Sequence, residues 1–196
     1  MSVFWDKSAA TYRDAKGKEI PYGSIRTSIE TIADDARAKI RALAESYNNK
    51  AITLSDFVTG AEPIIKNSLI SSSMIASGGR AQMTNALNGR LGSIVKFHLG
   101  KFREFYLAVD RGELSAAQIL ARADLYGAIP VRAYEEMRKG VMVDAGKGTA
   151  ENFLDDGAHH CTECPGLTGR KIPIEDFPPP GSRSCGNKCR CRAEYS

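Results

Sequence analysis

Five cysteines carry the chemistry open to this chain: Cys161, Cys164, Cys185, Cys189 and Cys191, all after residue 160. A cysteine used for core packing behaves as a small hydrophobe and can fall in any element. Confinement to one terminal stretch points instead to thiolates acting as a group. The first two are spaced Cys-x-x-Cys, a tight turn that can aim both sulfurs at one metal ion. Twenty residues further on come the other three, the second half-site that a tetrahedral zinc centre needs. Cys161 and Cys164 are the expected first pair, completed by two of Cys185, Cys189 and Cys191. Cys189 and Cys191 are expected to face opposite ways along an extended segment, which favours Cys185 with one of them. His159 and His160, just upstream, compete for the same places. Disulfides among the cysteines are the alternative to a metal.

Between the two groups lies GLTGRKIPIEDFPPPGSRS, in which Ile172, Ile174 and Phe177, with Leu167 at its start, are the only bulky apolar residues. So little apolar surface cannot offset the entropy of ordering the strip. Structural metal coordination, with Zn2+ as the expected ion, would supply the missing stability. A catalytic zinc keeps an open position beside a carboxylate base. Glu163, Glu175 and Asp176 are at hand, but neither His159 nor His160 is followed two residues later by Glu, as a zinc deaminase requires. The chain has no Gly-x-Ser-x-Gly, Walker or Gly-x-Gly-x-x-Gly pattern. The expectation is a protein that is not an enzyme, with no catalytic or organic-cofactor residues.

The elements that must position this strip read as helices. From Ser24, an expected cap, the residues Ile25, Ile29, Ile32, Ala36, Ile40, Leu43 and Tyr47 recur at spacings of three and four, one face of a helix that ends at Asn48 and Asn49. A second helix starts near Thr53 or Ser55, with Gly60 and Pro63 expected to break or kink it. Ser71 to Ser73 and Ser77 to Gly79 read as a loose link. A third helix is expected over 80–110, its internal Gly89, Gly92 and Gly100 read as points of close helix approach; His98 falls on its apolar stripe as a packed, hydrogen-bonded residue. Ser115 and Gln118 form a capping box, with Leu114 and Ile119 as the staple around it, and a fourth helix follows with a kink expected at Pro130. No strand of convincing alternation appears before residue 150. Short strands are expected around 170–174. The chain therefore divides into an irregular N-terminal arm (1–23), an α-helical body (24–150) and a Cys-rich, zinc-binding module (151–196). The fold class is mainly α: a multi-helix body with long amphipathic helices and a small loop-rich module in which a Cys-x-x-Cys turn can open a β-hairpin.

Net charge is +4 with both signs mixed along the chain, which does not mark a nucleic-acid surface. No apolar run reaches the length of a membrane span, and the N-terminus has no signal-peptide core. The expectation is a chain kept in a reducing cytoplasm, where stable disulfides do not persist.

The tail resembles a known family. Cys161-x-x-Cys164-Pro165, then Pro178-Pro179-Pro180-Gly181, then Ser184-Cys185-Gly186-Asn187-Lys188-Cys189-Arg190-Cys191 is similar to the C-terminal module of the phage Mu F-like minor head proteins, also called phage head morphogenesis proteins. Arg122-Ala123-Asp124-Leu125-Tyr126 and Arg132-Ala133-Tyr134 look like the helical run before that module. The likeness covers about 118–196, and 1–110 resemble no family. It implies a structural virion protein of a tailed bacteriophage, present in the host cytoplasm during assembly. Its implied partners are portal, capsid or neck proteins, met in several copies around the particle. It departs from the family in being short and in offering Cys185 where other members can have His. A head–tail connector or other neck component is the alternative placement. A zinc module binding nucleic acid is the other, drawing on Arg170, Lys171, Arg183, Lys188, Arg190 and Arg192.

Overall fold

In a computed structural model, described for residues 3–155, 157, 160–184 and 189–196, the fold is mainly α. Four long helices make the body: α1 (Tyr22–Asn48), α2 (Leu54–Ser77), α3 (Asn85–Asp110) and α4 (Ala116–Asp144). α1 buries Ile25, Ile29, Ala33, Ala36, Ile40 and Ala44, a stripe of three- and four-residue steps. It packs chiefly on α4; α2 lies against α4 and α1, and α3 against α2 and α4. α1 starts at Tyr22, two residues before the expected cap, and its N-terminus carries no side-chain cap.

Local signals set the other helix starts. Thr53 and Asp56 make a capping box on α2, Asp56 N donating to Thr53 Oγ1 at 3.1 Å and Thr53 N to Asp56 Oδ2 at 3.0 Å. Ser115 and Gln118 do the same for α4, as the spacing predicts. α2 nevertheless runs unbroken through Gly60 and Pro63, and α4 through Pro130. Phe57, Ala61, Ile65 and Leu69 on α2 are all fully buried. Packing of that face outweighs the helix penalty of one proline, about 3 kcal/mol.

The serine run is also helical, not a link. Ser68, Ser72 and Ser77 donate their hydroxyls to the carbonyls of Ile65, Leu69 and Met74 at 2.9, 3.1 and 3.0 Å. Bonding back to their own helix lets them be buried at little cost. α2 ends at Gly78, which adopts φ 80°; a Cβ there would lie 2.3 Å from Trp5 N. Residues 80–82 form a 3-10 turn, and Thr84, whose side chain accepts from Leu87 N, caps α3.

Gly89, Gly92 and Gly100 do not mark close approach: a Cβ on any of them would meet nothing within 4 Å. The close contact is at Gly127 on α4, where a Cβ would fall 2.2 Å from the Cα of Arg37 on α1.

The N-terminal arm is ordered, and it contains strands before residue 150. β1 (Phe4–Asp6), β2 (Thr11–Arg13) and β3 (Glu19–Ile20) form an antiparallel sheet in that order. Trp5 faces Tyr12, and Tyr12 faces Ile20, so one face carries all three, and all three are buried. Tyr12 OH donates to Ala76 O at 2.8 Å, and Gln82 bonds both the N–H and the C=O of Trp5 at 2.9 Å. Strands of two or three residues are too short to show alternation in a sequence.

After α4 comes a second antiparallel sheet, order β5-β4-β6, from β4 (Thr149–Phe153), β5 (Ile172–Pro173) and β6 (Arg192–Tyr195). β5 falls within the expected 170–174 stretch. Its partner is β4 rather than a strand opened by the Cys-x-x-Cys turn. That turn leads instead into α5 (Glu163–Leu167). Ala150, Phe177 and Ala193 form a small core of their own, with Ile172 and Tyr195 against it.

Candidate metal centre

Cys161 and Cys164 are positioned by α5. Cys164 sits in its first turn, its N–H bonded to Cys161 O at 3.3 Å, and the two Sγ atoms are 3.2 Å apart. Cys189 and Cys191 arrive from the other side, on the chain entering β6. β6 pairs along β4 from Phe153↔Arg192 to Ala150↔Tyr195, which fixes where Cys191 ends. The Sγ atoms of Cys164, Cys189 and Cys191 lie within 4.8 Å of one another, and all three residues are buried. Cys161 is half-buried at the edge of the same cluster, against which Leu154 packs.

The expectation that Cys189 and Cys191 face apart fails. Residues two apart on extended chain share a face, and both thiols turn inward to Cys164. Cys185 and His159 lie outside the described residues.

His160 is poised beside this group. Its Nε2 is 2.9 Å from Asp155 O, and its Nδ1 is 3.6 Å from Cys191 Sγ. A carbonyl can only accept, so the proton sits on Nε2 and the Nδ1 lone pair faces the thiols. This is the orientation in which metal-ligating histidines are held by their second nitrogen.

Two polar residues frame the cluster. Arg183, only 5% exposed, places Nη1 3.5 Å from Cys164 Sγ and 2.7 Å from Asn152 Oδ1, while Nε and Nη2 bond Pro178 O at 3.0 and 2.9 Å. Its guanidinium also lies over the Phe177 ring at 5.2 Å. Asn152, fully buried, donates from Nδ2 to Cys164 O and to Thr168 Oγ1, each at 3.1 Å. A buried cation beside several thiols suits a site whose sulfurs carry negative charge. Neither residue was singled out for this role by sequence. Arg183 read as one of several surface cations, and only the fold shows it to be internal.

Burial, with neighbouring Cys189 and Cys164, pushes the Cys191 thiol up to about 12, and burial also raises Cys164. Burial thus disfavours the thiolate at both positions. A bound metal would deprotonate them, and loading would release protons. The donor set fits a soft or borderline ion: zinc–sulfur bonds of ~2.3 Å in a tetrahedron put sulfurs about 3.8 Å apart, within the spread found here. The buried Cys164, Cys189 and Cys191 group can hold a metal ion, with Cys161 and the His160 Nδ1 adjacent.

The strip is bolted to the body by Lys139 on α4, whose Nζ donates to Glu175 O and Phe177 O at 2.9 Å each, and by two arginines. Arg26 on α1 donates from Nη2 to Cys189 O at 2.8 Å, and Arg138 on α4 from Nη1 to Ala193 O at 3.1 Å. Arg138 lies over the rings of Tyr22 and Tyr195, 5.1 and 5.4 Å from their centroids. Next to it is Glu135, fully buried, which accepts from Tyr22 OH at 3.1 Å. Burial raises the Glu135 carboxyl above its ordinary value, opposed by Arg138 and Arg26.

Comparison with protein-family models, with characterised proteins and with solved structures gives no match. Among the described residues no helix is long and apolar enough to cross a membrane.

Proposed function

We propose that this protein is a structural minor virion component of a tailed bacteriophage, of the head morphogenesis kind, and that its C-terminal module is fixed by zinc. In this reading Cys164, Cys189 and Cys191 supply three thiolates, and Cys161 or His160 completes the tetrahedron. The ion acts as a structural cross-link. Arg183 and Asn152 orient and neutralise the sulfurs, and the helical body presents the module to portal, capsid or neck proteins. No step of catalysis belongs to it. The convergence of Cys164 with Cys189 and Cys191, from opposite ends of a strip with almost no core, carries the reading: it supports a module given a fixed shape by a metal, as a docking part requires. The tail motif supplies the phage context.

Two measurements test it. Elemental analysis of protein purified under reducing conditions should find about one zinc per chain, lost in Cys164→Ser. Mass spectrometry of purified particles and proheads should find the chain in low copy. Metal-free wild-type protein with a rigid module would overturn the zinc part, and absence from both particles and proheads would overturn the virion part.

A further inference from the structure

A groove separate from the thiol cluster runs between α3, α4 and the 181–183 loop, with a volume of about 470 Å³. Phe97 and Leu125 stand on it 50% and 61% exposed, among the most exposed large apolar side chains described. Its charged lining is wholly basic: Lys101, Arg122, Arg132 and the loop's Arg183, without a carboxylate among the lining residues. Lys101 and Arg132 are already paired with Glu104 and Glu136 at 2.9 and 2.6 Å, while Arg122 meets no carboxylate among the described residues. His98 lines the groove too. It is 5% exposed, and its Nε2 is buried with no hydrogen-bond partner among the described residues.

A buried nitrogen left unpaired costs about 1–3 kcal/mol and calls for a partner. Exposed apolar side chains beside it call for cover. A cation without a carboxylate, Arg122, calls for negative charge. The one occupant that meets all three is a polypeptide carrying acidic groups next to a large apolar side chain.

We propose that this groove docks an acidic, apolar-anchored segment of a partner protein. The apolar side chain lies between Phe97 and Leu125, its carboxylates face Arg122, and a backbone or side-chain polar group meets His98 Nε2. A nucleic acid fits less well, because an exposed leucine offers a phosphate or sugar nothing. The inference does not depend on the virion reading or on a metal, since it uses the chemistry of the groove alone.

The test pans a display library of random dodecapeptides on the full-length protein. Recovered peptides are then titrated by fluorescence anisotropy against wild type, Arg122→Glu, Leu125→Ser and, as a distant control, Lys66→Glu. These positions are exposed, and circular dichroism verifies that each variant is folded. The expected result is recovery of peptides rich in Asp and Glu around a Leu, Phe or Trp. Their affinity should fall about tenfold in Arg122→Glu and severalfold in Leu125→Ser, and hold in Lys66→Glu. Recovery of no binder, of binders without acidic enrichment, or of binders indifferent to Arg122→Glu would overturn the proposal. So would displacement of the peptides by an oligothymidylate of equal charge at equal or lower concentration, which would make the groove a nucleic-acid site.

Discussion

Replacing Gly127 by alanine should destabilise the protein, while the same replacement at Gly100 should stabilise it. Both are interior positions of long helices, so intrinsic propensity favours alanine at each by about 1 kcal/mol. The surroundings differ. At Gly127 a Cβ would stand 2.2 Å from Arg37 Cα, 2.4 Å from Arg37 Cβ and 2.6 Å from Arg37 N. Carbon atoms in contact sit about 3.5–4.0 Å apart, so α1 and α4 would have to separate by more than about an ångström. The obstacle is largely backbone, which cannot swing aside as a side-chain tip can. Overpacking of this kind costs about 1–3 kcal/mol, and loosening the fully buried Ile25, Ile29 and Ile40 seam pushes toward the upper end. Net of propensity, Gly127→Ala should lose about 1–2 kcal/mol. At Gly100 the added methyl meets nothing within 4 Å, and the gain should be about 0.5–1 kcal/mol. Urea unfolding of both variants, with Gly89→Ala and Gly92→Ala as replicates of the open case, reads the sign directly. A Gly127→Ala midpoint at or above wild type would refute the close α1–α4 contact.

The remaining predictions concern the site and the junction. Chelation, or Cys164→Ser, should make the strip after Asp144 sensitive to limited proteolysis while the circular dichroism of the helices stays largely intact; equal protease resistance with and without metal would count against the cross-link. Arg138→Ala should cost about 3 kcal/mol, because it takes from the buried Glu135 carboxylate the strongest of its cations and leaves only the weaker Arg26 and Arg183; a loss under about 1 kcal/mol would mean that Glu135 is held neutral. Burial, aided by Arg132, lowers His98 from 6.5 to about 4. The unfolded chain then binds a proton that the fold refuses between those values, and stability falls as pH drops from about 6.5 toward 4. His98→Leu should flatten that part of the stability–pH curve relative to wild type, measured as the urea midpoint at several pH values; an unchanged slope would mean that His98 is protonated in the fold.

The four-helix body was legible because α1 and α4 repeat their apolar residues at helical spacing and α4 announces its start with the capping residues Ser115 and Gln118. The serine stretch misled because hydroxyls signal turns in isolation, whereas here Ser72 and Ser77 satisfy themselves on their own helix. Glycine misled in a related way. Gly100 and Gly127 are indistinguishable as letters, and only the neighbour across the seam tells which one permits contact. The N-terminal sheet was hidden by strands of two or three residues whose pairing is set by Ala76 and Gln82, far along the chain. The cysteine grouping stood out from composition, but the inward turn of both Cys189 and Cys191 depends on β6 pairing with β4. Arg183 was invisible as a partner of Cys164 because charge alone reads as surface.

The cationic contacts to the strip have a mechanical meaning. Because Arg26 grips the Cys189 carbonyl, Arg138 the Ala193 carbonyl and Lys139 those of Glu175 and Phe177, a load hung on the strip is shared between α1 and α4 through three cationic clamps, and does not hang from the single covalent tether that leaves Asp144. Tension along the chain would be met as shear across several hydrogen bonds at once, so the strip should peel away from the helices only after all three clamps have let go.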